Sequence, residues 1–416
     1  MPIKRFPTDV TASQIRSLSL VPPTEVVAEI VEAVRSRGDA AVAELEQRFD
    51  GTDDPRRVSS ETILQARDSI DDDLRAAIEL AINNVRQVAE GQLAANGDHI
   101  DGPIVADQGQ SVEYRHIPVD RAGAYVPGGN GSYPSTAIMC LTAARAAGVR
   151  SVAVASPVRE DGNVDPAVLA VCAMLDVDEV YPIGGAQAVA ALALGTEAID
   201  AVDVIVGPGN AFVQEAKRQL VGHVAIDGVA GPSELVVVAD GSADANAVSL
   251  DLLAQAEHGP DSLVVLISPE PDLLDAVADR CGDIPAEMAI VLASDMESAV
   301  ALADAIAPEH LQINADPGLS ERLSARVRNA GCLFVGENAA TAFGDYVVGS
   351  NHVLPTGGAA RFTSGLSPST FTRRMAVVSI PDEAVDELSE AGATIARAEG
   401  FPMHAESMEA RRKPKT

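Results

Sequence analysis

The sequence predicts an α/β protein: two doubly wound, incomplete Rossmann-like domains with parallel sheets, a helical N-terminal region and a small C-terminal helical tail. Three observations carry this expectation. From about Val112, short β-branched runs ending in Gly or Pro alternate with Ala-rich helical stretches, the pattern of parallel βαβ units. The chain has 416 residues, more than one ordinary core needs. Its 47% hydrophobic content is drawn from Ala, Val, Leu and Ile, with 3% aromatics and no Trp, so small and β-branched side chains must do the packing. Layered α/β cores are packed in this way.

Residues 1–124 form the expected N-terminal helical region, its latter part joining one of the α/β domains. Apolar residues recur at three- and four-residue spacing over Thr24 to Phe49 and over Ser60 to Ala94, with a polar turn at Gly51 to Pro55 between them. Residues 125–230 read as one doubly wound domain. Its strand Ser151 to Ala155 leads through the helix Pro166 to Leu175 to the strand Glu179 to Pro182, then into a helix after Gly184-Gly185. A further strand, Val202 to Val206, turns at Gly207-Pro208-Gly209 into the helix Ala211 to Leu220. Residues 231–381 repeat the alternation, with strands Leu235 to Ala239, Ser262 to Ile267 and Ala289 to Leu292 around helices Ala243 to His258 and Pro271 to Cys281. Residues 382–416 read as a helix and a polar tail.

A formal charge of -31 argues against a nucleic-acid partner, which needs clustered Lys and Arg, and against an anionic membrane surface. The acids are scattered in short groups such as Asp71-Asp72-Asp73, as on a solvated acidic surface. The start MPIKRFPTDV has no signal-peptide core, and no apolar run reaches the roughly 20 residues of a membrane span, so a cytoplasmic protein is expected. Cys140, Cys172, Cys281 and Cys332 lie far apart without a C-x-x-C pair, and read as buried free thiols.

Gly-rich turns between strand and helix let backbone N–H groups approach a phosphate. Three are present: Pro127-Gly128-Gly129, Gly184-Gly185 and Gly207-Pro208-Gly209. None completes the G-x-G-x-x-G fingerprint, because Phe212 stands three after Gly209; taken alone, each reads more readily as simple chain reversal than as a dinucleotide contact. Four of the seven histidines stand in polar, motif-like settings: His258, His310, His352 and His404. On a helix, Gln255 and His258 project from one face, a spacing suited to two ligands of one metal, and Asp345 could add a carboxylate. Each histidine alone reads more readily as a structural residue, and the four together tilt the reading towards a His/Asp metal site.

Several blocks together resemble the histidinol dehydrogenase family, in that family's order and over roughly residues 110 to 410. They are Tyr125-x-Pro127-Gly128-Gly129 with Tyr133-Pro134-Ser135-Thr136, Gly184-Gly185-Ala186-Gln187-Ala188, Val206-Gly207-Pro208-Gly209-Asn210, and Ile226-Asp227-x-x-Ala230-Gly231-Pro232-Ser233-Glu234 continuing to Glu257-His258. Pro308-Glu309-His310-Leu311 and Gly344-Asp345-Tyr346 follow, with Asn351-His352-Val353-Leu354-Pro355-Thr356 running on to Ala360-Arg361-Phe362. The resemblance implies oxidation of L-histidinol to L-histidine through the aldehyde histidinal, with two NAD, the last step of histidine biosynthesis. It implies one zinc ion per subunit held by Gln255, His258, Asp345 and His404, acid–base work by Glu309 and His310, and NAD contacts from Tyr125, Gln187 and Asn210. Substrate contacts are implied for Ser233, Gln255, His258, His310, Asp345, His352, Glu399 and His404. The family also implies a homodimer with shared active sites, in which the tail reaches the partner subunit. At the tail, Glu399-Gly400-x-x-x-His404 agrees in spacing while the residues beyond diverge. Two other readings stand beside this one: a paralogous NAD-dependent zinc dehydrogenase of another polar alcohol, such as a sulfonated diol, and a non-catalytic metal-binding scaffold.

Overall fold

A computed structural model of the chain describes residues 3–16, 22–49, 57–95, 100–128 and 131–412. The turn at Gly51 to Pro55 and the residue Gly129 lie outside the described residues. The strands, in chain order, are β1 (Lys4–Phe6), β2 (Ile100–Val105), β3 (Ser111–Pro118), β4 (Arg121–Tyr125), β5 (Ser151–Ala155), β6 (Glu179–Tyr181) and β7 (Val204–Val206). They continue as β8 (Ala225–Ile226), β9 (Glu234–Ala239), β10 (Leu263–Ser268), β11 (Glu287–Leu292), β12 (His310–Asn314), β13 (Cys332–Val335) and β14 (Thr372–Ser379).

Two parallel sheets result, as the alternation predicts. One has five strands in the order β6-β5-β4-β7-β8, and the other six in the order β1-β11-β10-β9-β12-β13. Every residue of β9 and β10 is buried, as in a sheet covered on both faces, which explains why these segments read as unbroken apolar runs. The five-stranded sheet packs one face on the helices Ser60–Ser69, Asp72–Ala95, Pro134–Ala146 and Pro166–Met174, and the other on Thr24–Arg37, Asp39–Phe49, Gly185–Leu194 and Ala211–Leu220.

The residues cluster into two compact units. The first joins residues 1–90 with 119–371 and holds both parallel sheets. The second joins 91–118 with 372–416; in it β14, β3 and β2 form an antiparallel sheet, and the helices Val385–Ala398 and Pro402–Glu409 pack through Ala393, Ala396 and Ala405. Three expected boundaries therefore move. The first sheet starts at Arg121 rather than 125, because β4 pairs with both β5 and β7. The last segment starts at Thr372 rather than 382, because β14 pairs along its whole length with β3. Residues 100–118 form strands of the second unit instead of closing a helical region.

The two long N-terminal helical stretches are each broken once. Gly38, with φ 52°, ends the helix Thr24–Arg37 before Asp39–Phe49 begins, a backbone shape that glycine adopts without cost. The second break falls at Ile70 and Asp71, where the Asp71 carboxylate accepts the Asp73 N–H at 2.9 Å and starts the helix Asp72–Ala95. No helix of the described residues is long and apolar enough to cross a membrane. Cys140, Cys172 and Cys281 are buried free thiols as expected, whereas Cys332 is half-buried at the start of β13.

Candidate active site

The acid–base candidates stand where two neighbouring parallel strands begin. β12 pairs with β9, setting His310 opposite Leu235, so Glu309-His310 and Ser233-Glu234 lie side by side at the amino ends of these strands. β13 lies on the other side, with Cys332 opposite His310. Gly331 is required for this approach: a Cβ there would meet the Glu309 carbonyl oxygen at 2.6 Å. The peptide N–H of Glu234 donates to Glu309 Oε2 at 2.8 Å, and that of Glu309 donates back to Glu234 Oε2 at 3.3 Å.

His310 Nδ1 lies 3.2 Å from the Glu234 carbonyl oxygen, which can only accept, so Nδ1 carries the proton and Nε2 a lone pair. Nε2 faces Asp345 Oδ1 at 3.8 Å. The same logic assigns His352: Nδ1 donates to the Asp345 carbonyl at 2.8 Å, and Nε2 takes a hydrogen bond from the Thr136 hydroxyl at 3.2 Å. Burial disfavours the imidazolium form of both rings, pulling His310 down to about 3 and His352 to about 4, and the neighbouring His258 adds to both shifts. Burial also lowers His258, although part of that side chain meets solvent. The carboxyls move the other way. Burial raises Asp345 to about 6 and pushes Glu309 well above the carboxylate range, with the charges of Glu234 and Asp345 adding to the latter and the Ser233 hydroxyl opposing it.

The first unit thus brings Ser233, His258, Glu309, His310, Asp345 and His352 into one neighbourhood. Gln255 joins it from the helix Ala245–Ala256, which packs on the helix Thr341–Tyr346 that carries Asp345. Glu399 and His404 belong to the second unit, both exposed: Glu399 caps the helix Val385–Ala398, and His404 lies against Phe401 at 5.3 Å between ring centres.

Among the described residues, no three His, Cys, Asp or Glu side chains converge closely enough to hold a metal ion. A cation is nevertheless suited to part of this neighbourhood. Gln255 is 3% exposed and its amide nitrogen is buried without an acceptor. Turning that amide over puts its oxygen in the same place, where a cation satisfies it. With an imidazole from His258 and a carboxylate from Asp345, the donor types are ones zinc accepts, and three donors leave a position open.

The three residues expected to contact NAD stand at the opposite kind of edge, where β4, β6 and β7 end. The Tyr125 hydroxyl accepts the Gly185 N–H at 3.1 Å. Gln187 is buried and donates to Glu46 Oε1 at 2.8 Å, while the Gly184 N–H reaches the same oxygen at 3.1 Å. Asn210 caps the helix Ala211–Leu220, accepting from the N–H groups of Phe212 and Val213. All three side chains therefore hold Gly-rich turns in place. β4 lies between β5 and β7, so the chain reverses its winding there, the place where open α/β sheets bind ligands.

Sequence reasoning missed the supports of this edge. Lys217, fully buried, pairs with Asp227 and donates to the Gly207 carbonyl at 2.9 Å, while Asp227 Oδ2 accepts the Gly207 N–H at 2.7 Å. Glu46 likewise lies in a helix where nothing catalytic was visible. Neither stands out in the sequence, because Lys217 lies among Gln214, Glu215, Arg218 and Gln219, and Glu46 among Glu44, Gln47 and Arg48.

A doubly wound α/β fold with a phosphate-type edge, and a buried acid–base pair beside candidate metal donors, defines an oxidoreductase that works with a dinucleotide. The histidinol dehydrogenase family profile matches residues 17–412. Histidinol dehydrogenase from Zymomonas mobilis is 44% identical over 400 residues, covering 92% of this chain and 91% of that protein. The Haloarcula marismortui enzyme is 41% identical over 401 residues, covering 92% of each. The crystal structure of histidinol dehydrogenase from Elizabethkingia anophelis matches with a TM-score of 0.90 at 28% identity, covering 98% of each chain. The chain belongs to the histidinol dehydrogenase family.

Proposed function

We propose that this protein oxidises L-histidinol to L-histidine with two molecules of NAD, in two successive steps at the neighbourhood of Glu309 and His310. The observation that carries the reading is the state of His310: a neutral ring whose protonated Nδ1 is engaged, leaving the Nε2 lone pair on the side of Asp345. Such a ring takes the carbinol hydroxyl proton as the hydride departs. Glu309, whose carboxyl holds its proton more tightly than an ordinary one, is a stronger base once ionised. It draws a proton from water as the aldehyde becomes a hydrate, while His310 gives its proton to the former carbonyl oxygen and is neutral again. His310 serves again when the hydrate loses its hydride and becomes the carboxylate.

Ser233, His352 and Glu399 bind and orient the substrate, and Gln255, His258, Asp345 and His404 hold zinc while facing it. Tyr125, Gln187 and Asn210 form the NAD site. When bound, zinc supplies a Lewis acid that anchors the amine and imidazole nitrogens, and NAD supplies the hydride acceptor. The test is NADH formation from histidinol, with and without a chelator. Full turnover in a preparation shown to be metal-free removes zinc from the site, and no turnover with zinc, NAD and histidinol all present removes the substrate.

The protein is also read as a homodimer in which the partner subunit's His404 completes each zinc site. What supports the reading is that Gln255, His258 and Asp345 belong to the first unit, whereas His404 is exposed in the second. Mixing His258→Ala with His404→Ala then gives mixed dimers with one intact site, restoring about a quarter of normal activity after full exchange. Confirmed exchange without recovery sinks the shared site.

A further inference from the structure

We infer that Arg16 and Glu234 are a positioning pair that sets Glu309 and His310 in place. The inference rests on the reading of those two residues as the acid–base groups. It adds one residue outside every sequence block, Arg16, and one inside a block to which no role was attached.

Glu234 is 5% exposed, and both its carboxylate oxygens are fully engaged. Oε1 accepts from Arg16 Nη1 at 2.8 Å and from the Gly357 N–H at 3.0 Å. Oε2 accepts from Arg16 Nη2 at 3.1 Å and from the Glu309 N–H at 3.3 Å. The backbone of the same residue holds the other two groups: its N–H donates to the Glu309 carboxylate, and its carbonyl accepts His310 Nδ1. One residue therefore touches the peptide of Glu309, its carboxyl, and the ring nitrogen that decides the tautomer of His310.

Arg16 spends the rest of its guanidinium on the chain just before these residues. Nε donates to the Ile306 carbonyl at 2.6 Å and Nη2 to the Ala307 carbonyl at 3.0 Å. These carbonyls end the helix Met296–Ile306, where a cation is favoured by the helix dipole. Ala307 then takes φ 51°, a left-handed shape unusual for a residue with a side chain, and turns the backbone into Pro308-Glu309. The planar fork grips a carboxylate with two nitrogens and still reaches two carbonyls, which an ammonium group cannot do. Stability alone does not require the contacts of the pair to converge on the three atoms that aim the acid and the base. Release of either partner lets those atoms drift, and a misplacement of about 1 Å costs roughly 100-fold in rate.

The experiment compares Glu234→Gln, Arg16→Met, Arg16→Lys and the double variant Arg16→Met with Glu234→Gln, all as zinc-loaded full chains. Turnover is measured alongside equilibrium dissociation constants for histidinol and NAD. The expected result is a fall in kcat of about 100-fold for Glu234→Gln and Arg16→Met with both dissociation constants within about threefold of normal. Arg16→Lys should recover part of the rate, and the double variant should be no slower than the slower single one, because both remove one device. Glu234→Gln and Arg16→Lys turning over at the normal rate overturn the proposal, even if Arg16→Met does not fold. Losses of binding that match the losses of rate overturn it too. Glu309→Gln is the control for the parent reading. If that variant is fully active, the acid–base assignment itself fails, whereas an inactive Glu309→Gln beside a normal Glu234→Gln removes only the positioning pair.

Discussion

In the five-stranded sheet the candidate residues Tyr125, Gln187 and Asn210 stand at or beyond the carboxyl ends of strands, whereas in the six-stranded sheet Ser233, Glu309 and His310 stand at the amino ends. The two edges present different backbone groups. At a carboxyl edge the chain passes from strand to helix, so helix N-termini and their free N–H groups face the ligand, and anions are favoured. At an amino edge the chain arrives from a helix C-terminus, so carbonyls face the ligand, and cations are favoured. The occupants fit this rule. Arg16 sits on the carbonyls that end the helix Met296–Ile306, and Gln255 and His258 lie at the end of the helix Ala245–Ala256. The Gly184 and Gly207 turns lead into helices instead. On the proposed function, one layered architecture used at opposite edges would offer a place for the phosphates of a dinucleotide and a place for a cation and a polar substrate. Function here is set by the edge that each sheet exposes and not by the sheet itself.

The sharpest way to break this comparison is to strip the amino edge of its base. His310→Ala should lower kcat by about 1,000-fold with either histidinol or histidinal as the starting substrate, within the range by which a positioned acid–base group speeds a reaction. Glu309→Gln should cost about as much with histidinal but clearly less in the first step from histidinol, because water is activated only at the second. Equal losses at both steps in the Glu309 variant end the division of labour, and a His310 variant within tenfold of normal moves the base elsewhere.

The opposite edge is tested by Lys217→Met. Lys217 is buried with Asp227, and together they hold both the carbonyl and the N–H of Gly207, whose φ of 112° no side chain adopts readily. Removing the ammonium leaves a buried carboxylate unpaired, which costs about 3–5 kcal/mol of stability. If this edge belongs to the dinucleotide alone, the variant should raise KM for NAD about tenfold and leave KM for histidinol near normal. A rise confined to histidinol would reverse the assignment of the two edges.

These two predictions draw on unequal sources. The parallel strands were legible, and His310, His258 and Asp345 stood out as candidates, because β-branched runs and motif-like polar settings are local patterns. Arg16 and Glu234 are 218 residues apart, Glu46 and Gln187 are 141 apart, and β3 finds β14 across more than 250 residues. No periodicity within a window records such a pairing. The strand β1 is three residues long and became visible only through its partner β11. The same limit explains Gln187, which the blocks placed at NAD and whose amide is engaged with Glu46. The chain motif preserves the turn, and only the tertiary contact reveals what holds it.

The smallest expected effect is on the pH dependence of stability in the metal-free protein, and it separates the two edges because the shifted groups crowd at one of them. His310 and His352 have native values of about 3 and about 4, below the unfolded value of about 6.5. Between those limits the unfolded chain binds protons that the native chain refuses, so each ring costs stability as pH falls through 6.5, by about 2 kcal/mol between pH 7 and 5. Asp345 runs the other way. Its native value of about 6 lies above the unfolded value of about 3.8, so the native chain binds the extra proton and gains about 1 kcal/mol over the same interval. Glu309, also raised, adds to that gain. The terms oppose each other: the two rings together lose about 4 kcal/mol, Asp345 returns about 1, and Glu309 reduces the remaining loss further. Asp345→Asn removes one gain and leaves both losses, so that variant should lose about 1 kcal/mol more than the parent between pH 7 and 5 in urea titrations without metal. Ring carbon signals of His310 and His352 followed by NMR supply the independent check, since both should remain neutral down to pH 5. Either ring titrating near 6.5 would show that the amino edge admits water freely, and the electrostatic half of the comparison would fall.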